Sequence, residues 1–166
     1  MYSRATPELG MGDSTPNRRR LLAAIGAVGT VGLGGCSSGG ESTSDRTPEE
    51  RLSAFLAEGR SARGYEGLVD ATGREELVIE VGAESGLAFA PAGVRISTGT
   101  TVSWQWTGRG GQHNVASVSE SAFEFQSGNP QLTREPFEQS FSEQGVGLYV
   151  CRPHRGVGMK GGLIVE

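Results

Sequence analysis

Lysine is almost absent from this chain of 166 residues: Lys160 stands alone against 14 arginines. Histidine and cysteine are nearly as scarce, with two of each, and there are three methionines. No basic stripe runs along the chain, and from Cys36 onward 17 acidic and 11 basic residues leave a formal charge of −6. That excludes nucleic acid as a natural partner, because nothing is arranged to neutralise phosphates. Long apolar helical stripes are missing as well. The apolar residues come in short runs among 27 glycines, which favours a turn-rich β protein over a helix bundle. The length allows one ordinary domain plus an appendage.

The appendage is N-terminal. Arg18-Arg19-Arg20-Leu21-Leu22 opens an uncharged stretch that continues to Gly40. Its apolar part, Leu21 to Leu33, is too short and glycine-rich to span a bilayer, which takes about 20 apolar residues. A basic start, a short apolar centre and small residues before a cleavage point form a signal peptide. The arginines ahead of two leucines resemble a twin-arginine export signal. Leu33-Gly34-Gly35-Cys36 resembles a lipobox, in which cleavage leaves Cys36 as a lipid-modified N-terminus. The expected organisation is a leader over 1–35, a flexible tether over 36–46, a short helix and irregular lead-in over 47–73, and the main domain over 74–166. With Cys36 lipidated, no disulfide to Cys151 is expected.

Within the lead-in, Thr47-Pro48-Glu49-Glu50 is a capping box with proline at the first helical position. Leu52, Phe55 and Leu56 follow at helical spacing, and Gly59 can end the helix left-handed. Tyr65, Leu68 and Val69 are expected to anchor the irregular stretch. From Glu76 the apolar period becomes two. Strands are expected at Leu77–Val81, Val94–Ile96, Val102–Trp106, Val115–Val118, Phe137–Phe141, Gly147–Val150 and Leu163–Val165. Seven or eight short strands in so few residues make an all-β Greek-key β-sandwich. Trp104 and Trp106 share a face with Val102 and are expected to pack in its core.

Against this background one segment stands out. Tyr149-Val150-Cys151-Arg152-Pro153-His154 continues to Met159, and with His113 it contains both histidines of the chain and the only methionine beyond the leader. A thiolate, two imidazoles and a thioether are the ligand set of a blue-copper site. Cys151, His154 and Met159 can turn toward one point from a single loop. His113 comes from elsewhere, after the glycine-rich run Thr107 to Gln112. A trigonal Cys-His-His site with a long axial Met suits both Cu(I) and Cu(II), so the electron can move with little rearrangement. Zinc could fill the same pocket, but structural zinc usually recruits more thiolates. There is no second cysteine for a dinuclear centre and no acid–base pair nearby, so neither catalysis nor a small-molecule substrate is expected.

Cys151-Arg152-Pro153-His154 with Met159 resembles the ligand loop of plastocyanin-type cupredoxins, and most closely that of halocyanins, blue copper proteins of halophilic archaea. Gly64 to Asp70, Thr107 to Val115 and His154 to Gly161 look like halocyanin segments. The resemblance covers about Thr47 to Glu166 and implies a cupredoxin fold, one copper ion and one-electron transfer. It implies ligation by His113, Cys151, His154 and Met159, with Asn114 tying the two ligand loops together. Pro153 has no N–H to give the Cys151 sulfur, which should favour oxidised copper. The chain departs from the family pattern between Ser119 and Gln131, which should alter loop shape and not ligation. The resemblance also implies an electron port at His154, rimmed by Gly108 to Gly111, Pro153 and Val157. Transient docking there with membrane-bound redox proteins, by a monomer lipid-anchored on the outer face of the cell membrane, completes the expectation. The alternative is a copper storage or delivery protein.

Overall fold

The computed structural model describes residues 45–166. The expected leader, Cys36 and all but the last two residues of the tether lie outside the described residues. Helix α1 (Pro48–Ala57) starts where the capping box predicts. The Thr47 hydroxyl accepts from the Glu50 N–H, and the Glu50 carboxylate accepts from the Thr47 N–H. It ends at Glu58, and Gly59 then turns left-handed with φ +60°. Among the described residues, no helix is long and apolar enough to cross a membrane.

Nine strands follow: β1 (Val69–Asp70), β2 (Glu76–Ala83), β3 (Ala88–Ala90), β4 (Gly93–Ile96), β5 (Thr101–Trp106), β6 (Ala116–Ser117), β7 (Phe137–Ser140), β8 (Gly145–Val150) and β9 (Lys160–Val165). They form two sheets, one ordered β1-β4-β9-β8-β6 and the other β3-β2-β5-β7. The chain changes sheet at most connections, which is why β2 pairs with β5 and β4 with β9 in parallel. Among the described residues this is a cupredoxin-like Greek-key β-sandwich with one short α-helix.

Alternation drives the sandwich together. In β2, Leu77, Ile79 and Val81 are buried while Glu76, Val78 and Glu80 are exposed. With Phe89 and Val102 of the same sheet they face Val94, Ile96, Tyr149, Leu163 and Val165 of the other, around Trp104. The Trp104 ring stacks on Phe125 and Phe137 and meets Tyr149 edge-on, with centroids 5.4, 5.5 and 5.5 Å away. Strand β9 is buried on both faces because α1 covers the outer one: Leu52 and Leu56 pack on Val146, Leu148 and Ile164.

Two elements differ from the expectation. Strands β1 and β3 are too short, at two and three residues, to show a period. Val69 is not an anchor: it sits on the edge strand β1 and is 46% exposed, while Tyr65 and Leu68 do pack under α1.

Candidate metal centre

His113 lies beyond the end of β5, and its backbone is held from two sides. Its N–H donates to the Gln131 carbonyl at 2.8 Å and its carbonyl accepts from the Gln131 N–H at 2.9 Å. Gln131 is the last residue of the segment that departs from the family pattern, but it contributes only main-chain atoms. The Trp106 indole N–H also donates to the His113 carbonyl, at 3.1 Å. Trp106 therefore packs against the core, as expected, and also fixes a candidate ligand.

The ring is oriented by a main-chain atom that no side chain announces. His113 Nε2 lies 2.7 Å from the Arg109 carbonyl oxygen. A carbonyl only accepts, so Nε2 carries the proton and Nδ1 keeps its lone pair free. Arg109 is held in place by close backbone contact. A methyl group on Gly82 would lie 2.7 Å from the Arg109 oxygen and 3.2 Å from His113 Nε2. One on Gly86 would lie 2.4 Å from the Gly110 Cα, so the β2–β3 turn and the 107–111 loop interlock.

The other candidates come from β8 and the turn after it. Cys151 directly follows β8, and its N–H donates to the Met159 carbonyl at 3.0 Å. The His154 N–H donates to the Cys151 carbonyl at 3.0 Å, and the Met159 N–H to the His154 carbonyl at 3.1 Å. These bonds fold the loop around a 3-10 turn, Arg152–Val157, with Pro153 in its first turn, where a missing N–H costs nothing. The Asn114 side chain spans the two loops: Oδ1 accepts from the Arg152 N–H at 2.9 Å, and Nδ2 donates to the Gly128 carbonyl at 3.3 Å.

Three donor atoms meet in a triangle. Cys151 Sγ lies 3.6 Å from His113 Nδ1 and 3.4 Å from His154 Nδ1, and the two nitrogens are 3.1 Å apart. A point inside that triangle is about 2 Å from every corner, the length of a metal–imidazole bond. No carboxylate joins the group among the described residues. Met159 is fully buried in the same core cluster as Cys151, with its backbone bonded to both Cys151 and His154. The donor set and spacing fit a copper ion.

Burial also shifts the protonation of Cys151 and His154. It pushes the Cys151 thiol up, while the backbone N–H groups of Asn114 and His154 pull the other way. Pro153, which has no N–H, supplies no donor to that sulfur. Burial, and secondarily His113, hold the His154 imidazole below its ordinary value, so it stays neutral and able to bind a cation. His113 and Cys151 are fully buried, whereas His154 is part-exposed beside Gly111.

Residues 76–166 match the family model of copper binding proteins of the plastocyanin/azurin type. A halocyanin from Natronomonas pharaonis is 44% identical over 160 residues, covering 90% of this chain and 98% of that protein. A plastocyanin from Scenedesmus fuscus is 32% identical over 99 residues, covering 55% of this chain and 100% of that protein. Among solved structures, oxidised plastocyanin from Dryopteris crassirhizoma aligns with a TM-score of 0.46 at 23% identity, covering 54% of this chain and 100% of that one. With a donor triangle of the right atoms inside the matched residues, the chain belongs to the plastocyanin/azurin family of copper-binding proteins.

Proposed function

We propose that this chain is a one-electron carrier in which His113, Cys151, His154 and Met159 hold a single type 1 copper ion. Bound there, copper supplies the Cu(I)/Cu(II) couple. The observation that carries the reading is the donor triangle, assembled in the core with edges of 3.1–3.6 Å. Each protein group has a definite task. The Arg109 carbonyl and the Gln131 pairing keep His113 from turning, and Asn114 keeps the two loops in register. The raised thiol of Cys151 gives up its proton as metal binds, so uptake favours higher pH. The sandwich around these residues resists movement between oxidation states, which keeps reorganisation small.

His154 is the proposed port, because it alone of the four reaches the surface. Its rim comprises Gly108 to Gly111, Pro153 and Val157, the last 37% exposed. A small surface of this kind suits partners that must separate quickly. The proposed partners are membrane-bound redox proteins that dock as transient complexes on a monomer. We further read the first 35 residues as a twin-arginine lipoprotein leader and residues 36–46 as a tether. Cys36 then carries a lipid anchor at the outer face of the cell membrane. No catalysis is assigned to the centre.

Copper storage or delivery is disfavoured by the burial of Cys151 and Met159, since a protein that hands metal over needs reachable ligands. Cyclic voltammetry of the copper-loaded protein, with a Cu(I) chelator in solution, separates the two. The expected result is a reversible one-electron wave through repeated cycles and no copper in the chelator. Transfer of copper to the chelator on reduction would overturn the carrier reading.

A further inference from the structure

The lead-in segment lies outside the family-matched residues 76–166, yet it grips the chain on both sides of Met159. On the near side, the Arg63 N–H donates to the Gly158 carbonyl at 3.0 Å, and Arg63 Nε donates to the Val157 carbonyl at 2.9 Å. Gly158 stands at φ +90°, and a methyl group on it would lie 2.4 Å from the Ser61 carbonyl oxygen. On the far side, Lys160 turns its ammonium into the end of α1. Its Nζ donates to the Phe55 carbonyl at 2.7 Å and the Glu58 carbonyl at 2.6 Å, and lies 5.3 Å from the centre of the Phe55 ring. The last carbonyls of a helix lack intrahelical partners and carry partial negative charge, and α1 has no basic residue of its own in its last turn. The only lysine of the chain, 6% exposed, fills that role from another strand.

Neither tether is needed to close the sandwich, whose sheets pair without them. Both act on the residues immediately before and after Met159. We propose that residues 55–63 form a brace for the metal centre, with Arg63 and Lys160 as positioning residues that set where Met159 stands. This rests on the blue-copper reading above. The axial thioether is the weak contact of such a site, and its strength tunes the reduction potential. A loosened Met159 donates less to the oxidised ion, so the potential rises.

The test uses the full chain with Arg63→Met, which keeps the stem and removes the side-chain donor, and Arg63→Lys, which restores one donor. Hydrogen exchange at the amides of Val157 to Lys160 is followed in metal-free protein, and the potential in copper-loaded protein. The brace predicts exchange about tenfold faster in Arg63→Met, the worth of one lost hydrogen bond. It also predicts an upward shift in potential, with both readings returning toward the parent values in Arg63→Lys. Lys160→Met gives the same two readings if Arg63→Met does not fold. Unchanged exchange in the loop, or exchange faster throughout the domain with the potential unmoved, overturns the brace. If the parent binds copper without a thiolate band, the carrier reading fails, while the exchange result still decides whether the loop is braced.

Discussion

A methyl group at Gly82 would press on three atoms at once: the Arg109 carbonyl oxygen at 2.7 Å, Thr107 Oγ1 at 2.8 Å and His113 Nε2 at 3.2 Å. It would also place a side chain at φ +84°. Gly82→Ala should therefore cost about 1–3 kcal/mol, the range for a strained backbone position, and weaken copper binding by moving the hydrogen bond that orients His113. Denaturant unfolding and a copper titration check both, and parent-like affinity would show that the Arg109 carbonyl is not what orients the ring. The four candidate ligands were legible in the sequence because beyond Cys36 no other residue of their types exists. The atoms that aim them were not. Arg109 acts through its main-chain oxygen, Gln131 through its backbone pair, and Trp106, read as packing, through an indole N–H on the His113 carbonyl. A backbone donor or acceptor carries no sequence signature, and the glycines at 82, 86, 110 and 111 are its only trace.

Helix α1 was legible from its capping box and apolar spacing, β5 from alternation and β2 from its apolar density. Strand β9 was only half legible. Its buried outer face depends on α1 lying over it, and Gly161-Gly162 offers no period to read. Leu52 and Leu56, each 1% exposed, hold that layer together. Leu52→Ala should cost about 2–5 kcal/mol in an unfolding titration, the range for a buried leucine whose cavity only partly collapses. A loss well under 1 kcal/mol would mean that α1 is not packed as described. The lead-in was read as irregular because contacts such as Arg63 to Val157, 94 positions apart, follow no local pattern. Strands β1 and β3 escaped for the same reason, since each exists only through its partner.

Charged side chains of both signs stand on the surface of the described residues. Glu76 and Glu80 stand exposed on the outer side of β2. Arg46, Arg51 and Arg155 line a depression of about 420 Å³ beside α1 together with Glu58 and Glu120, and Arg152 and Arg155 flank His154 in the chain. Docking at His154, as proposed, would bring Val157, Arg152 and Arg155 toward the partner. Val157→Glu should slow electron self-exchange between oxidised and reduced protein about tenfold, a barrier increase of about 1.4 kcal/mol, measured by NMR line broadening. The copper spectrum should stay as in the parent, and its loss would make Val157 structural and not part of the rim. Fold class and family were legible before any coordinate, and so were the three donors that the structure brings into one triangle. What the coordinates add is the backbone bonding that holds His113, Cys151, His154 and Met159 in place. The proposed centre turns on a copper–thiolate bond at Cys151, and the visible spectrum of the oxidised, copper-loaded protein tests it most directly. An intense thiolate-to-copper band that vanishes in Cys151→Ser is the predicted result; a colourless protein after copper addition, or a band that survives the substitution, would contradict it.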